Sequence, residues 1–197
     1  MKTVGILGGS FDPITRGHIF IANHVLKETH VDEIWVIPCN THKQGKNLTA
    51  YENRIEMIQA ALNDEDPRII VNDIELRMQL SGYTRDLFAA LKSEYPDIDF
   101  YFIMGQDVAN NFDTFYQSAY LKEHAKFIVI SRTGIQPVID KQWYVKSPNI
   151  YLGKANVIEE TSSTKARDFF KLKKYQDVLS QVPLPVLSYM LDKELYK

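Results

Sequence analysis

The residues best able to do chemistry lie in one segment, residues 8–18, which reads Gly-Gly-Ser-Phe-Asp-Pro-Ile-Thr-Arg-Gly-His. An apolar run precedes this segment, and an amphipathic stretch starting at Ile19 follows it. A strand, a loop of small residues and a helix start direct backbone N–H groups and the positive end of a helix dipole at one point. His18, in the first turn of that helix, adds a donor that can follow a phosphate through a reaction. The segment therefore predicts a site for a phosphate-like anion.

The elements that must position this segment form an α/β pattern. Short runs rich in β-branched and aromatic residues predict buried strands at residues 3–7, 33–38, 68–71, 100–104 and 126–131. Amphipathic helices between them imply a parallel sheet with right-handed crossovers. We therefore expect a doubly wound, Rossmann-like α/β fold, in which ligands bind beyond the carboxyl ends of the strands, where strand order reverses. Residues 8–18 leave the first strand at that edge.

Several residues have the type and spacing of helix N-caps, and they predict where helices begin. Thr49 and Glu52 have the spacing of a capping box, which predicts that Thr49 caps the second helix. The run Ser-Ser-Thr at residues 162–164 offers N-caps for a helix at residues 165–172, and a last helix is expected at residues 185–194. No repeat or linker divides the sequence. We therefore expect one domain over residues 1–197, with a small C-terminal helical subdomain from about residue 160 onward.

Composition argues against several classes of protein. The formal net charge is −2, whereas general nucleic-acid binders are usually basic, so we expect no nucleic-acid partner. The single cysteine, Cys39, cannot form an internal disulfide and suits a reducing compartment. The sequence shows neither a secretion leader nor an apolar run of membrane-spanning length. We therefore expect a cytoplasmic protein with no membrane partner.

Two common phosphate loops are absent from the sequence, and another pair of motifs is present. The chain has no Gly-Lys-Ser/Thr string of a Walker loop, and its early glycines lack the spacing of the dinucleotide fingerprint. It carries instead Thr-x-Gly-His at residues 15–18 and Ser-Ser-Thr-Lys-x-Arg at residues 162–167. These two strings, in this order and far apart, resemble the paired signatures of the nucleotidyltransferase α/β-phosphodiesterase superfamily.

Further strings narrow the resemblance. Residues 83–87 (Tyr-Thr-Arg-Asp-Leu), 102–107 (Phe-Ile-Met-Gly-Gln-Asp) and 130–134 (Ile-Ser-Arg-Thr-Gly) resemble three blocks of the nicotinate/nicotinamide mononucleotide adenylyltransferases. His42 and Lys43 look like the lysine loop of that family. The resemblance implies an enzyme of NAD biosynthesis that moves AMP from ATP to the 5′-phosphate of nicotinate or nicotinamide mononucleotide. Diphosphate would be released and the dinucleotide formed.

The resemblance also implies roles for single residues. His18 would donate to the α-phosphate as negative charge builds there, and Lys43 would steady the phosphates at the transferring centre. Arg167 would hold the β- and γ-phosphates from a helix start, and these three residues are the expected catalytic residues. The expected ATP-binding residues are Gly8, Gly9, Ser10, Phe11, Thr15, Gly17, His18, Gly105, Asp107, Arg132, Ser163, Thr164 and Arg167. The expected mononucleotide-binding residues are Ser10, Phe11, Lys43, Tyr83, Thr84 and Phe115.

ATP and a pyridine mononucleotide are the implied partners, and Mg²⁺ is the implied cofactor. The attacking phosphate is already an anion, so catalysis needs positioning and charge stabilisation rather than a general base. Mg²⁺ would arrive on the ATP phosphates and keep several waters, so no protein metal ligand is assigned. Self-association into a homo-oligomer is left open.

Two other functions fit parts of the sequence. The string at residues 10–18 is shared closely with phosphopantetheine adenylyltransferases, and Thr15 stands where many pyridine-nucleotide members have a second histidine. The Tyr-Thr pair at residues 83–84 and the Leu-Tyr pair at 195–196 favour the pyridine nucleotide. Outside the enzymes, a non-catalytic nucleotide-binding module on the same fold is the alternative, and the presence of both His18 and Arg167 counts against it. Phe115 stands near the position where a tryptophan commonly stacks on the pyridine ring.

Overall fold

A computed structural model of the protein describes residues 1–41, 45, 47–131, 143–153 and 161–196. Within these residues, six parallel strands form one sheet in the order β3-β2-β1-β4-β5-β6. The strands are β1 (Lys2–Gly9), β2 (Glu33–Pro38), β3 (Ile69–Val71), β4 (Ile98–Gly105), β5 (Lys126–Ile130) and β6 (Ile150–Leu152). The order runs outward from β1 to β3 and then returns to β4 beside β1, which confirms the doubly wound fold.

The described helices cover both faces of the sheet. They are α1 (Arg16–Glu28), α2 (Tyr51–Leu62), α3 (Ile74–Arg77), α4 (Thr84–Glu94), α5 (Gln106–Asn110), α6 (Ser118–His124), α7 (Ser163–Lys171), α8 (Tyr175–Gln181) and α9 (Leu184–Asp192), with a 3₁₀ turn at Phe112–Thr114. Helices α1, α2 and α7 to α9 share one hydrophobic core, and α3 to α6 share the other. The predicted C-terminal helical part is present. None of the described helices combines the length and apolarity needed to cross a membrane.

The central strand explains why the sequence shows apolar runs rather than alternation. Val4 and Ile6 of β1 pack into the core beneath α3 to α6, while Leu7 packs into the core beneath α1 and α2. A parallel strand covered on both faces has no polar side, so nearly every residue is apolar. The five predicted strands are therefore confirmed, with β1 and β4 slightly longer than expected.

Two local predictions were wrong or incomplete. The sixth strand, β6, was not predicted; it is a three-residue strand at the edge of the sheet, and all its side chains are only partly buried. Thr49 does not cap α2, whose N-cap is Ala50. The Thr49 backbone is held elsewhere: its N–H donates to Asp12 Oδ2 (3.1 Å) and its carbonyl accepts from Arg54 Nε (3.0 Å). Contacts to Asp12 and Arg54 therefore fix Thr49, and the predicted cap at the start of α2 does not form. In α7, by contrast, Ser162 is the N-cap as predicted and accepts from the Lys165 N–H.

Candidate active site

The crevice predicted where strand order reverses is a cavity of about 620 Å³. β1 and β4 are neighbours, but α1 after β1 packs on one face of the sheet and α5 after β4 packs on the other. Their carboxyl ends therefore diverge and leave space for a ligand. The predicted site residues that line this cavity are Gly8, Gly9, Ser10, His18, Tyr83, Thr84, Gly105 and Phe115. Asp107 lies beside Gly105, in the first turn of α5.

The loop between β1 and α1 is shaped around the ring of Phe11. Phe11 has a φ of 48°, in the left-handed region that large side chains rarely adopt. Its side chain is buried, and its ring meets the His18 ring edge-on with centroids 5.0 Å apart. A Cβ placed on Gly9 would come within 3.1 Å of the same ring. Phe11 therefore supports the loop and the imidazole from inside the fold.

His18 occupies the third position of α1, where its imidazole completes a reciprocal cap with Thr15. The Thr15 backbone N–H donates to His18 Nδ1 (3.0 Å), and Thr15 Oγ1 lies 2.9 Å from the same nitrogen. A backbone N–H can only donate, so Nδ1 is an acceptor. A neutral ring then carries its proton on Nε2, which gives His18 the tautomer required of a donor.

Thr15 itself is buried, with 2% of its surface exposed. Its hydroxyl contacts His18 Nδ1 and also accepts from Thr161 Oγ1 (3.2 Å). Thr161 in turn accepts from the N–H of Gly17, which is buried in the first turn of α1 (3.0 Å). Thr161 was absent from every predicted set of site residues. Its one signal in the sequence is its place directly before the Ser162 cap.

The two distant motifs meet at the loop after β1. Ser163 Oγ donates to the Pro13 carbonyl (2.7 Å), and Arg167 Nη1 donates to the Asp12 carbonyl (2.6 Å). Arg167 Nη2 also donates to Thr164 Oγ1 (3.3 Å). The start of α7 therefore lies against the segment that leads into α1, and two helix N-termini converge on the same region.

Aromatic side chains gather where α4 starts and the 3₁₀ turn ends. Phe115 lines the cavity with its ring stacked on Phe112, at a centroid distance of 4.7 Å and 26° between the planes. Tyr116, which the sequence interpretation did not select, lines the cavity too and packs on Tyr83 at 4.9 Å. Tyr83 and Tyr116 are both exposed. Thr84 is the first residue of α4, with Tyr83 as its N-cap.

Hydrogen bonds tie the residues after β2 to α3 and to the segment before α4. Thr41 Oγ1 donates to the Ser81 carbonyl (2.9 Å), and the Asn40 N–H donates to the buried Glu75 carboxylate (3.5 Å). Gly82 has a φ of 76°, and a Cβ there would lie 2.4 Å from the Thr41 carbonyl oxygen. The predicted residues Lys43 and Arg132 lie outside the described residues.

Arg54 is a third residue that the sequence interpretation did not assign to the site. Arg54 is 1% exposed, and its guanidinium donates to three backbone carbonyls, those of Thr49, Ser10 and Cys39, at 2.9 to 3.0 Å. It thus ties α2 to the loop after β1 and to the end of β2. The cation also lies 5.0 Å from the centre of the Tyr51 ring.

Cys39 lines the cavity but is poorly placed for nucleophilic chemistry. Burial raises the pKa of its thiol, although contacts to Ser10 and Arg54 partly oppose that effect. A thiol with a raised pKa stays protonated at neutral pH, whereas the thiolate is the nucleophile. Cys39 is therefore better explained as a packing residue than as a nucleophile. Across the described residues, no group of three or more His, Cys, Asp or Glu side chains is arranged to hold a metal ion.

Comparison with known proteins places this geometry in a family. The sequence model of the cytidylyltransferase-like family matches residues 6–169 of this chain. The nicotinate-nucleotide adenylyltransferase of Bacillus subtilis (strain 168) is 34% identical over 200 residues, which cover 100% of each chain. Two solved structures of the Plasmodium falciparum nicotinic acid mononucleotide adenylyltransferase are similar at 27% identity, covering 100% of this chain and 98% of theirs. The complex with NaAD has a TM-score of 0.86, and the complex with APC has 0.84. The chain therefore belongs to the cytidylyltransferase-like family, among its nicotinate-nucleotide adenylyltransferases, and is a nucleotidyltransferase.

Proposed function

We propose that this enzyme transfers the adenylyl group of ATP to the 5′-phosphate of nicotinate mononucleotide, releasing diphosphate and forming the dinucleotide in NAD biosynthesis. The observation that carries the proposal is that His18 and the Tyr83–Thr84 pair line the same cavity. That cavity combines a phosphate-facing helix start with aromatic rings able to stack on a pyridine ring. The relatives' names and the NaAD in one solved complex support nicotinate over nicotinamide as the acceptor.

The chemistry follows from the charges involved. The acceptor phosphate is already an anion and attacks the α-phosphorus of ATP in line with the departing diphosphate. Negative charge is then spread over the phosphoryl oxygens, and the site's task is to position the reactants and stabilise that charge. His18 carries its proton on Nε2 when neutral, because Nδ1 accepts from Thr15. That N–H would donate to the α-phosphate as charge builds on it.

The start of α7 would hold the rest of the triphosphate. Ser163, Thr164 and Arg167 supply hydroxyl and guanidinium donors there, and the α7 dipole favours an anion. Their contacts to the loop after β1 fix α7 relative to His18. Gly8 and Gly9 would let the phosphates approach the backbone closely, and Gly105 with Asp107 would meet the adenosine ribose. Lys43 and Arg132 keep their predicted roles at the transferring phosphates and at the nucleotide.

Mg²⁺ fits this site as an ion carried by the substrate. Asp12, the carboxylate of the loop, already accepts from the Tyr196 hydroxyl and the Thr49 N–H, so it is engaged within the protein. Mg²⁺ tolerates few protein ligands and keeps several waters. Bound to the ATP phosphates, it would neutralise part of the charge that forms during transfer.

One assay tests the proposal against its alternatives. The protein is incubated with ATP and Mg²⁺ and with nicotinate mononucleotide, nicotinamide mononucleotide or phosphopantetheine in separate reactions, and diphosphate release is measured. We expect turnover to be fastest with nicotinate mononucleotide and to stop when EDTA removes the metal. Turnover with phosphopantetheine alone would reassign the chain to coenzyme A biosynthesis. ATP binding without turnover on any acceptor would identify a non-catalytic nucleotide-binding module.

The proposed partners are small molecules. The formal net charge of −2 gives no general attraction for nucleic acid. Homo-oligomer formation stays open, and sedimentation of the purified protein would test it.

A further inference from the structure

The hydroxyl of Thr161 lies between Thr15 and Gly17 at the start of α1. The Gly17 N–H donates to Thr161 Oγ1 (3.0 Å), and Thr161 Oγ1 donates to Thr15 Oγ1 (3.2 Å). Thr15 Oγ1 lies 2.9 Å from His18 Nδ1. We call these four residues, Gly17, Thr161, Thr15 and His18, the threonine hydrogen-bond chain.

The hydrogen bonds of the threonine hydrogen-bond chain all donate in one direction, from Gly17 towards His18. The Gly17 N–H can only donate, so Thr161 Oγ1 accepts there. The Thr161 proton goes to Thr15 Oγ1, because the Thr15 hydroxyl uses its own proton toward His18 Nδ1. The Thr15 backbone N–H also donates to His18 Nδ1, so Nδ1 is an acceptor and the Thr15 hydroxyl proton is directed at it. Each hydrogen bond polarises the next, which strengthens the chain where water is excluded. Thr15 is 2% exposed, so water competes little for its hydroxyl.

We propose that Thr161 is a positioning residue for His18: through Thr15 it orients the imidazole and keeps Nδ1 an acceptor, so that the neutral ring carries its proton on Nε2. The effect on rate rests on the proposed adenylyl transfer, whereas the effect on the ring does not. Thr161 directly precedes Ser162, the N-cap of α7.

Three variants separate positioning from packing. Thr161→Val keeps the shape and removes the hydroxyl, Thr161→Ser keeps the hydroxyl, and Thr29→Val is the matched control. Thr29 lies at the other end of α1, where its hydroxyl donates to the Val25 carbonyl (2.8 Å). We expect Thr161→Val to lower kcat about tenfold and to change KM for ATP less than about twofold, the scale of one lost hydrogen bond. Thr161→Ser should restore kcat, and Thr29→Val should leave both constants unchanged.

A second comparison asks whether Thr161 acts through His18. In a His18→Ala background, Thr161→Val should cause no further loss of kcat, because the group that it positions is gone. An equal fold-loss in both backgrounds would overturn the proposal and assign Thr161 a merely structural role. An unchanged kcat for Thr161→Val in the native background would overturn it as well.

The imidazole can be observed directly. In ¹⁵N-histidine spectra, the His18 signals are identified among the five histidines by their absence in His18→Ala. We expect the Nδ1 resonance of an acceptor nitrogen in the native protein, and a shift of that resonance in Thr161→Val but not in Thr29→Val. An identical His18 spectrum in Thr161→Val would overturn the proposal. If the native protein releases no diphosphate with any acceptor, the proposed function fails, and this spectrum alone decides the role of Thr161.

Discussion

The Tyr196 hydroxyl donates a 2.5 Å hydrogen bond to the Asp12 carboxylate, and so fastens the segment after α9 to the loop between β1 and α1. Asp12 is 3% exposed, and its backbone carbonyl accepts from Arg167. Its second carboxylate oxygen accepts from the Thr49 N–H. Glu194 and Tyr196 both have left-handed φ values, 52° and 58°, in the turn that brings the phenol to the loop. Segments distant in sequence therefore meet at one buried carboxylate.

Tyr196→Phe removes this donor and keeps the ring. We expect the free energy of unfolding to fall by about 1.5–3 kcal/mol, the usual size for a hydrogen bond to a charged group. Urea denaturation near neutral pH measures it. Tyr189→Phe is the control, because its hydroxyl donates to the neutral Asn53 side chain (2.9 Å) and its loss should cost about 0.5–1.5 kcal/mol. A loss in Tyr196→Phe no larger than that of the control would contradict the importance of the Asp12 contact.

The same phenol predicts a pH dependence of stability. Burial and the Asp12 carboxylate raise the pKa of Tyr196 above its ordinary value of about 10. Above that pH the unfolded chain loses a proton that the folded chain keeps, so the stabilisation is full below about pH 10 and is lost as pH rises further. We therefore expect the difference in unfolding free energy between the native protein and Tyr196→Phe to shrink above about pH 10. The burial-raised pKa of Tyr51 acts in both proteins and cancels. A difference that stays constant in alkaline urea titrations would refute the prediction.

His18→Ala should lower turnover far more than it weakens ATP binding. Loss of a donor to charge that develops in the transition state typically costs roughly 100- to 1,000-fold in kcat. Diphosphate release gives kcat, and calorimetric titration with a non-hydrolysable ATP analogue gives the dissociation constant. Equal losses in the two measurements would mean that His18 serves binding alone.

Arg54→Met should destabilise the fold by at least about 3 kcal/mol, because three backbone carbonyls lose their buried donor together. Arg54→Lys should recover little of this, since one ammonium lacks the guanidinium fork that reaches all three. Thermal unfolding measures both variants. Arg68→Met is the matched control, because Arg68 is exposed and pairs with Asp66 at the surface, where removal should leave Tm unchanged. A Tm for Arg54→Met near that of the control would show that the three Arg54 hydrogen bonds do not stabilise the fold.

Gly8→Ala tests whether the ligand approaches the backbone at the end of β1. An added Cβ meets no described atom within 4 Å, so Tm should not fall. Gly8 lines the cavity, so the methyl group should occupy ligand space and raise KM for ATP about tenfold or more. Gly82→Ala is the contrast: its φ of 76° and its 2.4 Å approach to the Thr41 carbonyl should lower stability by at least about 1 kcal/mol. An unchanged KM in Gly8→Ala would remove Gly8 from the binding surface.

The sequence by itself determined the features that depend on residues close to one another along the chain. Apolar runs defined five strands, since each strand buried on both faces must be apolar throughout. Small residues between a strand and a helix defined the anion loop, and the fold class followed from the alternation of elements. The two distant motifs identified the family. His18 could be selected because its place in the first turn of α1 is readable from neighbouring residues.

The contacts that orient these groups were decided by the tertiary structure. Thr161 and Thr15 are 146 residues apart, and Tyr196 and Asp12 are 184 apart, so no local pattern records either pair. Thr49 had the spacing of a helix cap, yet Asp12 and Arg54 hold its backbone because buried polar groups must be satisfied wherever the packing brings them. Sequence patterns record the secondary structure that residues neighbouring along the chain prefer. The hydroxyl that meets Thr15 comes from Thr161, because the fold places the residue before α7 against the start of α1, and only the folded chain decides that.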